Sequence, residues 1–288
     1  MMRLTALLAA AAMALAPSVS AAAQTQEEIE RYKKMTIFAV GVAAAFNAEP
    51  YRGLGYDDPN ILAVPFYIYN KNNLTLAGPN ISYRFWRVFD TQLSAEAKYR
   101  FQNYDSSDSP FLTGMSDRQG AFEVGLKAAK RYGRLRLQAE TFADVSNTHE
   151  GYEFTVRGTF ELGDNRAISF RPVVGATWQS RSLNDYYYGV GVAEALDRPM
   201  VIDGVDVFRP AYEAGSAVVP FAGVNARTRL SRRLQVTGTA SIERLPNEIT
   251  SSPIVGEETR TTAFLAVSYM FSGPGVTPMP GERRGRRR

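Results

Sequence analysis

The feature that most constrains this chain is a two-residue alternation kept over segments longer than ordinary strands. Across residues 152–162 the even positions read Tyr, Phe, Val, Gly, Phe and Leu, the odd ones Glu, Thr, Arg, Thr and Glu. Residues 234–243 set Leu, Val, Gly, Ala and Ile against Gln, Thr, Thr, Ser and Glu. Residues 93–102 set Leu, Ala, Ala, Tyr and Phe against Ser, Glu, Lys, Arg and Gln. Side chains of a strand point alternately to opposite faces, so each segment has one apolar and one polar face. After the N-terminal segment no apolar run approaches the roughly 20 residues that a spanning helix requires.

A soluble sandwich would alternate in the same way, with its apolar face inward. Three features favour a membrane barrel. The segments run to roughly 10–13 residues, where soluble strands average about 5–6 and tilted membrane strands need about 9–11. Aromatic residues gather near segment ends: Tyr67 and Tyr69, Tyr99 and Phe101, Trp178, Tyr269 and Phe271. Short connectors (70–73, 131–134, 163–166, 230–233) alternate with long ones (47–60, 103–118, 179–216, 246–258). Outer-membrane barrels show that asymmetry, with short periplasmic turns and long outer loops. The expected fold is therefore an all-β, antiparallel transmembrane barrel over residues 36–271. Eleven strand-like runs are visible, but a single-chain bacterial barrel needs an even number. Ten strands is the first expectation, with residues 74–102 giving one spanning strand plus an extra segment. Twelve is the alternative, with residues 186–190 as the added piece.

The rest of the chain reads as targeting segments and ends. Arg3, the apolar stretch 4–16 and the small residues Ala21–Ala23 form a signal peptide over residues 1–23. Residues 24–35 are a polar periplasmic leader. Residues 272–288 are a Pro/Gly/Arg-rich tail expected to be disordered in the periplasm. The chain has no Cys, which removes disulfides, thiol catalysis and Cys-based metal sites. The formal charge of +4 resides in the last eight residues, so no nucleic-acid-binding surface is expected. Gly-rich phosphate loops and metal-ligand spacings are absent, so no cofactor and no metal are expected.

Several stretches, in order over about residues 37–271, resemble the MipA/OmpV family of outer-membrane proteins, the family of the MltA-interacting protein. They are Gly41-Val42, Glu49-Pro50-Tyr51-Arg52-Gly53, Val64-Pro65-Phe66-Tyr67, Gly175-Ala176-Thr177-Trp178 and Asp185-Tyr186 with Tyr188-Gly189-Val190. Pro210-Ala211-Tyr212-Glu213-Ala214-Gly215, Ser252-Pro253-Ile254-Val255 and the final strand Val267-Ser268-Tyr269-Met270-Phe271 follow. The resemblance implies a Gram-negative outer-membrane barrel, in some members a scaffold joining a murein hydrolase to a murein synthase, with no catalytic residues to carry over. The chain departs from the family in continuing for 17 residues past Phe271.

The resulting reading is a scaffold or binding protein and not an enzyme, with a narrow channel for small solutes as the alternative. Outer-membrane lipids, lipopolysaccharide, murein enzymes and peptidoglycan are the expected partners. Val267, Tyr269 and Phe271 are the expected closing-strand assembly signal. Arg283, Arg284, Arg286, Arg287 and Arg288 are the expected periplasmic contact, through carboxylates of the cell wall. Asp185, Tyr186, Tyr187 and Tyr188 form an outer lid or a ligand-binding loop. His149, the only histidine, has no serine at a suitable offset and reads as a solvated loop residue. The charged faces (Glu96, Lys98, Arg100, Glu123, Lys127, Arg136, Glu140, Glu153, Arg157, Arg171, Arg227, Arg229) read as mutually paired side chains filling a narrow lumen.

Overall fold

The structure, a computed structural model, describes residues 36–54, 60–165 and 168–273, except for the side chains of 60–62 and 163–165. The expected signal peptide, the leader and nearly all of the tail lie outside these residues. In chain order the strands are β1 (Ile37–Ala48), β2 (Asn60–Lys71), β3 (Leu74–Ala77), β4 (Asn80–Val88), β5 (Thr91–Arg100), β6 (Ala121–Tyr132) and β7 (Leu135–Asp144). There follow β8 (Tyr152–Phe160), β9 (Leu162–Asn165), β10 (Ile168–Gln179) and helix α1 (Arg181–Tyr188). Next come the hairpin strands β11 (Leu196–Ile202) and β12 (Val205–Arg209), then β13 (Ala217–Arg229), β14 (Leu234–Arg244), helix α2 (Asn247–Thr250) and β15 (Thr259–Ser272). Neighbours pair antiparallel, β1 closes on β15 and β10 closes on β13. Because β9 continues β8 past Glu161, the sheet is a closed twelve-stranded barrel.

Twelve was the alternative strand number, and it arises at a different place from the one expected. The run 74–88 divides at Gly78-Pro79 into β3 and β4, a short hairpin with Gly78 at φ +54°. Residues 186–190 supply no strand; most of them belong to α1. A turn of two residues needs a positive φ that glycine adopts without steric cost.

The pleat is inverted relative to a soluble barrel. On β8, Tyr152, Phe154 and Val156 are exposed, whereas Glu153 and Thr155 are buried. The same holds around the wall, so the outside is an apolar band of residues such as Val42, Val124, Leu126, Val174 and Leu265. Two aromatic belts flank that band. Phe38, Trp86, Tyr132, Phe160, Tyr269 and Phe271 stand at the end with the short turns, Phe122, Tyr152 and Phe154 at the end with the long loops. Amphipathic rings favour the two interfaces of a bilayer.

The seam between the chain's first and last strands is built on small residues. Ala39, Gly41, Ala43 and Ala45 line the inner face of β1, and a Cβ on Gly41 would lie 2.0 Å from the Val267 carbonyl oxygen. Phe66 of β2 and Phe264 of β15 therefore meet above β1 at 5.7 Å between ring centroids. This buried apolar corner, with Val64, Ile68 and Ala266, makes one inner wall non-polar.

The β3–β4 hairpin also leaves a notch. β3 pairs only with residues 68–71 of β2, and β4 reaches only Ala97 of β5. Among the described residues, the upper halves of β2 and β5 therefore have a strand partner on one side only. Tyr67 bridges the hairpin to β2, its hydroxyl donating to the Gly78 carbonyl at 2.5 Å.

Candidate functional site in the lumen and at its two ends

The long loops fold together over one mouth of the barrel. Tyr51, Tyr104, Leu112, Met115, Leu183, Tyr187, Tyr188, Ile249, Ile254 and Val255 form one buried apolar cluster drawn from four loops. Polar contacts stitch the same loops. The Tyr51 hydroxyl donates to the Tyr187 carbonyl at 3.2 Å, and that of Ser252 to the Tyr188 carbonyl at 2.5 Å. Arg209, almost fully buried, donates to the carbonyls of Phe111, Thr113 and Glu194. Glu194 accepts from the backbone N–H groups of Ser116 and Gly191 and from Arg118. These bonds hold its carboxyl down at about 2, against the partial burial that raises it. The result is a packed dome.

Asp185, Tyr186, Tyr187 and Tyr188 lie on α1 inside this dome. Ser180 caps the helix, its side chain accepting from Leu183 N–H. Tyr187 and Tyr188 are buried, the Tyr187 hydroxyl donates to the Gln119 carbonyl, and Asp185 accepts from Ala214 N–H.

Beneath the dome lies a network of buried ions. Arg100 donates to Glu123 at 2.6 Å and to Glu153 at 2.5 Å; Lys98 reaches the same two carboxylates at 3.1 and 2.6 Å. His149 completes it, with Nε2 at 3.1 Å from Glu123 and Nδ1 accepting from Gly151 N–H. That acceptor role places the proton on Nε2. His149 is thus 3% exposed and not the solvated loop residue expected from sequence. The cause lies in its tight loop, where Asp144 accepts from three successive backbone N–H groups and turns the ring inward. Both ring nitrogens are engaged, so neither is free to activate a hydroxyl.

The charged strand faces line the lumen as expected, except that Glu123 is buried behind Lys98 and Arg100 and Arg229 is exposed on the rim. They do not fill it. A cavity of about 540 Å³ extends from Phe46 and Glu49 near the dome to Arg84, Arg171 and Arg227 near the short turns. Signs that interleave along each strand separate by depth. Near the dome, carboxylates and cations are closely matched. Toward the short turns, Arg84, Lys127, Arg136, Arg157, Arg171 and Arg227 face Glu96, Glu140 and Glu161 among the described residues.

The short-turn rim continues this excess. Lys71, Arg87, Arg131, Arg134, Arg229, Arg232 and Arg233 are exposed there, and Asp90 is the one exposed carboxylate among the described residues of these turns. The dome is acidic by contrast, with Asp105, Asp108, Asp117, Asp197, Asp203 and Asp206 among its carboxylates. No local sequence signal announced this polarity, because it appears only when the turns are gathered at one end.

On the closing strand, Val267, Tyr269 and Phe271 all point outward, Val267 into the apolar band and the two rings into the belt beside it. Phe271 packs against Phe38 of β1 at 5.4 Å and Tyr269 at 5.0 Å. Arg283, Arg284, Arg286, Arg287 and Arg288 lie outside the described residues. Among the described residues no group of three or more His, Asp or Glu side chains could hold a metal.

The chain is 24% identical over 239 residues to the putative outer membrane protein YiaT of Escherichia coli K12, covering 81% of this chain and 90% of that one. It is equally similar, with the same coverage, to the MltA-interacting protein of the same strain. Among solved structures, a Pseudomonas aeruginosa FadL homologue aligns over 82% of this chain and 90% of its own at TM-score 0.40 and 8% identity. The model of the family described as MltA-interacting protein MipA matches residues 40–271, nearly the whole barrel, and the chain belongs to that family of outer-membrane proteins.

Proposed function

We propose that this protein is a non-catalytic scaffold of the outer membrane whose short-turn end engages murein-remodelling enzymes. Family membership supports the reading, since relatives carry the name MltA-interacting protein. The observation that carries it is the concentration, among the described residues, of seven exposed cations against one exposed carboxylate on the short-turn rim. By the topology of outer-membrane barrels, that rim faces the periplasm. Such a surface suits an acidic partner and steers its approach in a salt-dependent way. A murein hydrolase and a murein synthase are the partners, and Arg283, Arg284, Arg286, Arg287 and Arg288 extend the same charge toward cell-wall carboxylates. The outer wall meets lipid and lipopolysaccharide.

Mild crosslinking of the tagged protein in intact cells, followed by mass spectrometry, tests this. Murein hydrolases or synthases should be recovered, and Arg131→Glu with Arg232→Glu and Arg233→Glu should reduce their yield severalfold. Recovery of only assembly machinery and lipopolysaccharide would refute the scaffold. The second reading, a narrow channel, is favoured by the cavity of about 540 Å³ that remains inside the barrel. Its discriminating measurement is single-channel conductance of the purified protein in planar bilayers.

A further inference from the structure

We propose that the short-turn half of the lumen is a binding site for a small oxyanion, carboxylate- or phosphate-bearing, held by Arg136, Arg171 and Arg227. The inference goes beyond the scaffold reading and does not depend on it. It begins with where these side chains sit. In the ladder, Arg136 of β7 lies opposite Thr159 of β8, Thr159 opposite Val173 of β10, and Ser169 of β10 opposite Arg227 of β13. Arg171, two residues along from Ser169, points to the same side. The three guanidiniums therefore follow one another across one wall, in steps of two residues along β10, and all three line the cavity.

Arg136 and Arg227 differ from their neighbours in pairing. Arg157, next along the wall, has Glu140, and Lys127 has Glu96 at 2.5 Å. Arg171 approaches Glu161 at 3.9 Å. Arg136 and Arg227 make no hydrogen bond or ion pair with any described residue. Among the described residues, the charged groups that act on Arg227 are Arg171 and Arg229, both cations. Around Arg136 they are Glu161 and Glu96 with the cations Arg171, Arg131, Arg157 and Lys127. Confining like charges in a partly desolvated wall costs stability unless a counter-charge is present. Among the described residues, counter-charge is ample near the dome and sparse here.

Guanidinium suits the assignment better than ammonium would. Its planar fork of N–H donors matches the spacing of carboxylate or phosphate oxygens and binds them bidentately. Thr159, Ser169, Asn225 and Thr237 line the same stretch, adding neutral groups for the hydroxyls of a sugar or the amides of a peptide. The cavity volume lies within the range of about 300–1,000 Å³ typical of small-molecule sites. A mono- or disaccharide acid, a sugar phosphate or a short acidic peptide falls within that class.

The test uses the full-length barrel in a neutral detergent, titrated at constant ionic strength with inorganic phosphate, glucuronate or glucose. Equilibrium dialysis reads binding, and thermal unfolding provides a second readout. At least one anion should bind saturably, glucose should not, and the anion should raise the unfolding temperature. Whichever probe binds names the oxyanion class. Arg136→Gln and Arg227→Gln should each weaken binding about ten-fold. Both should still fold, because neither leaves a carboxylate unpartnered, and in the anion-free state Arg227→Gln should unfold at a higher temperature than the parent. Arg244→Gln, on the dome side, should bind like the parent. Absence of saturable binding by either anion would overturn the proposal, as would equal binding by the Arg136→Gln/Arg227→Gln pair or equal loss in Arg244→Gln.

Discussion

Glu123 shows how tightly single residues are held in this barrel. Its side chain is 1% exposed and is approached by Arg100, Lys98 and His149. Breaking a buried ion group by removing one partner costs on the order of 3–5 kcal/mol, because the remaining charge stays desolvated. Arg100→Met is therefore expected to lower stability by that amount in urea titration of the detergent-folded protein. Adding Glu153→Gln to Arg100→Met restores the charge balance and should recover part of the loss. An unchanged midpoint in the single variant would mean that the network contributes nothing. Glu194 gives a pH-dependent counterpart. Its folded-state carboxyl titrates at about 2, below the ordinary value of 4.5. The sign follows: its stabilising contribution is complete above about 4.5 and is lost as pH falls toward 2. Pepsin should cleave the dome loops progressively faster over that window, and Glu194→Gln should already be cleaved quickly at its upper edge. The alternation of the sequence told correctly that Lys98, Arg100 and Glu153 face inward. It could not tell that they meet, because Arg100 and Glu153 lie 53 positions apart and are joined only by the closed sheet. His149 was misread for a related reason: the three backbone bonds to Asp144 that turn it inward form only once the loop has closed.

At the scale of elements, β2 carries a prediction that depends on which way each backbone group points. The Gly78 N–H donates to the Tyr67 carbonyl, so the backbone groups of odd-numbered residues in β2 face the β3 side. Above Tyr67 that side is the notch, and Pro65 stands there, where its missing N–H costs no ladder bond. Even-numbered residues face β1, with Val64 opposite Ala43. Ala63→Pro should therefore leave the barrel folded. Val64→Pro removes a donor and strands a carbonyl on β1, at a cost of about 1–3 kcal/mol before any steric effect. Heat-modifiable electrophoretic mobility, which separates folded from unfolded barrels, reads the contrast directly. If both variants fold equally, the notch is closed in the membrane. In the sequence Pro65 marks a missing donor and Gly78-Pro79 a break in the run 74–88. Neither indicated that the interruption is a complete hairpin, because a strand of four residues is too short to display a period. That is why twelve strands presented themselves as eleven runs.

On the scale of the whole molecule, the barrel has two unlike ends: an acidic dome sealed by an apolar core and a basic rim continuous with an arginine-rich lumen. The dome was legible only as long, aromatic loops. Its core joins Tyr51, Tyr104, Tyr187 and Ile254 from four different connectors, a convergence that no local pattern encodes. The wall does not depend on that core, since each strand is bonded to its neighbours outside the loops. Dome and wall should therefore be separable by mutation. Truncating a large buried aromatic side chain costs about 3–5 kcal/mol, and in Tyr51→Ala that loss falls on the loops. The variant should keep the heat-modifiable mobility of a folded barrel while its loops become sensitive to protease. With the dome loosened, conductance in planar bilayers should rise above the parent's. The current through it should be anion-selective at low salt, because among the described residues the cations around Arg136, Arg171 and Arg227 outnumber the carboxylates along that part of the path. Adding Arg227→Gln to Tyr51→Ala should reduce the selectivity without closing the path. A Tyr51→Ala barrel with protease-sensitive loops and unchanged conductance would place the seal elsewhere than in the dome.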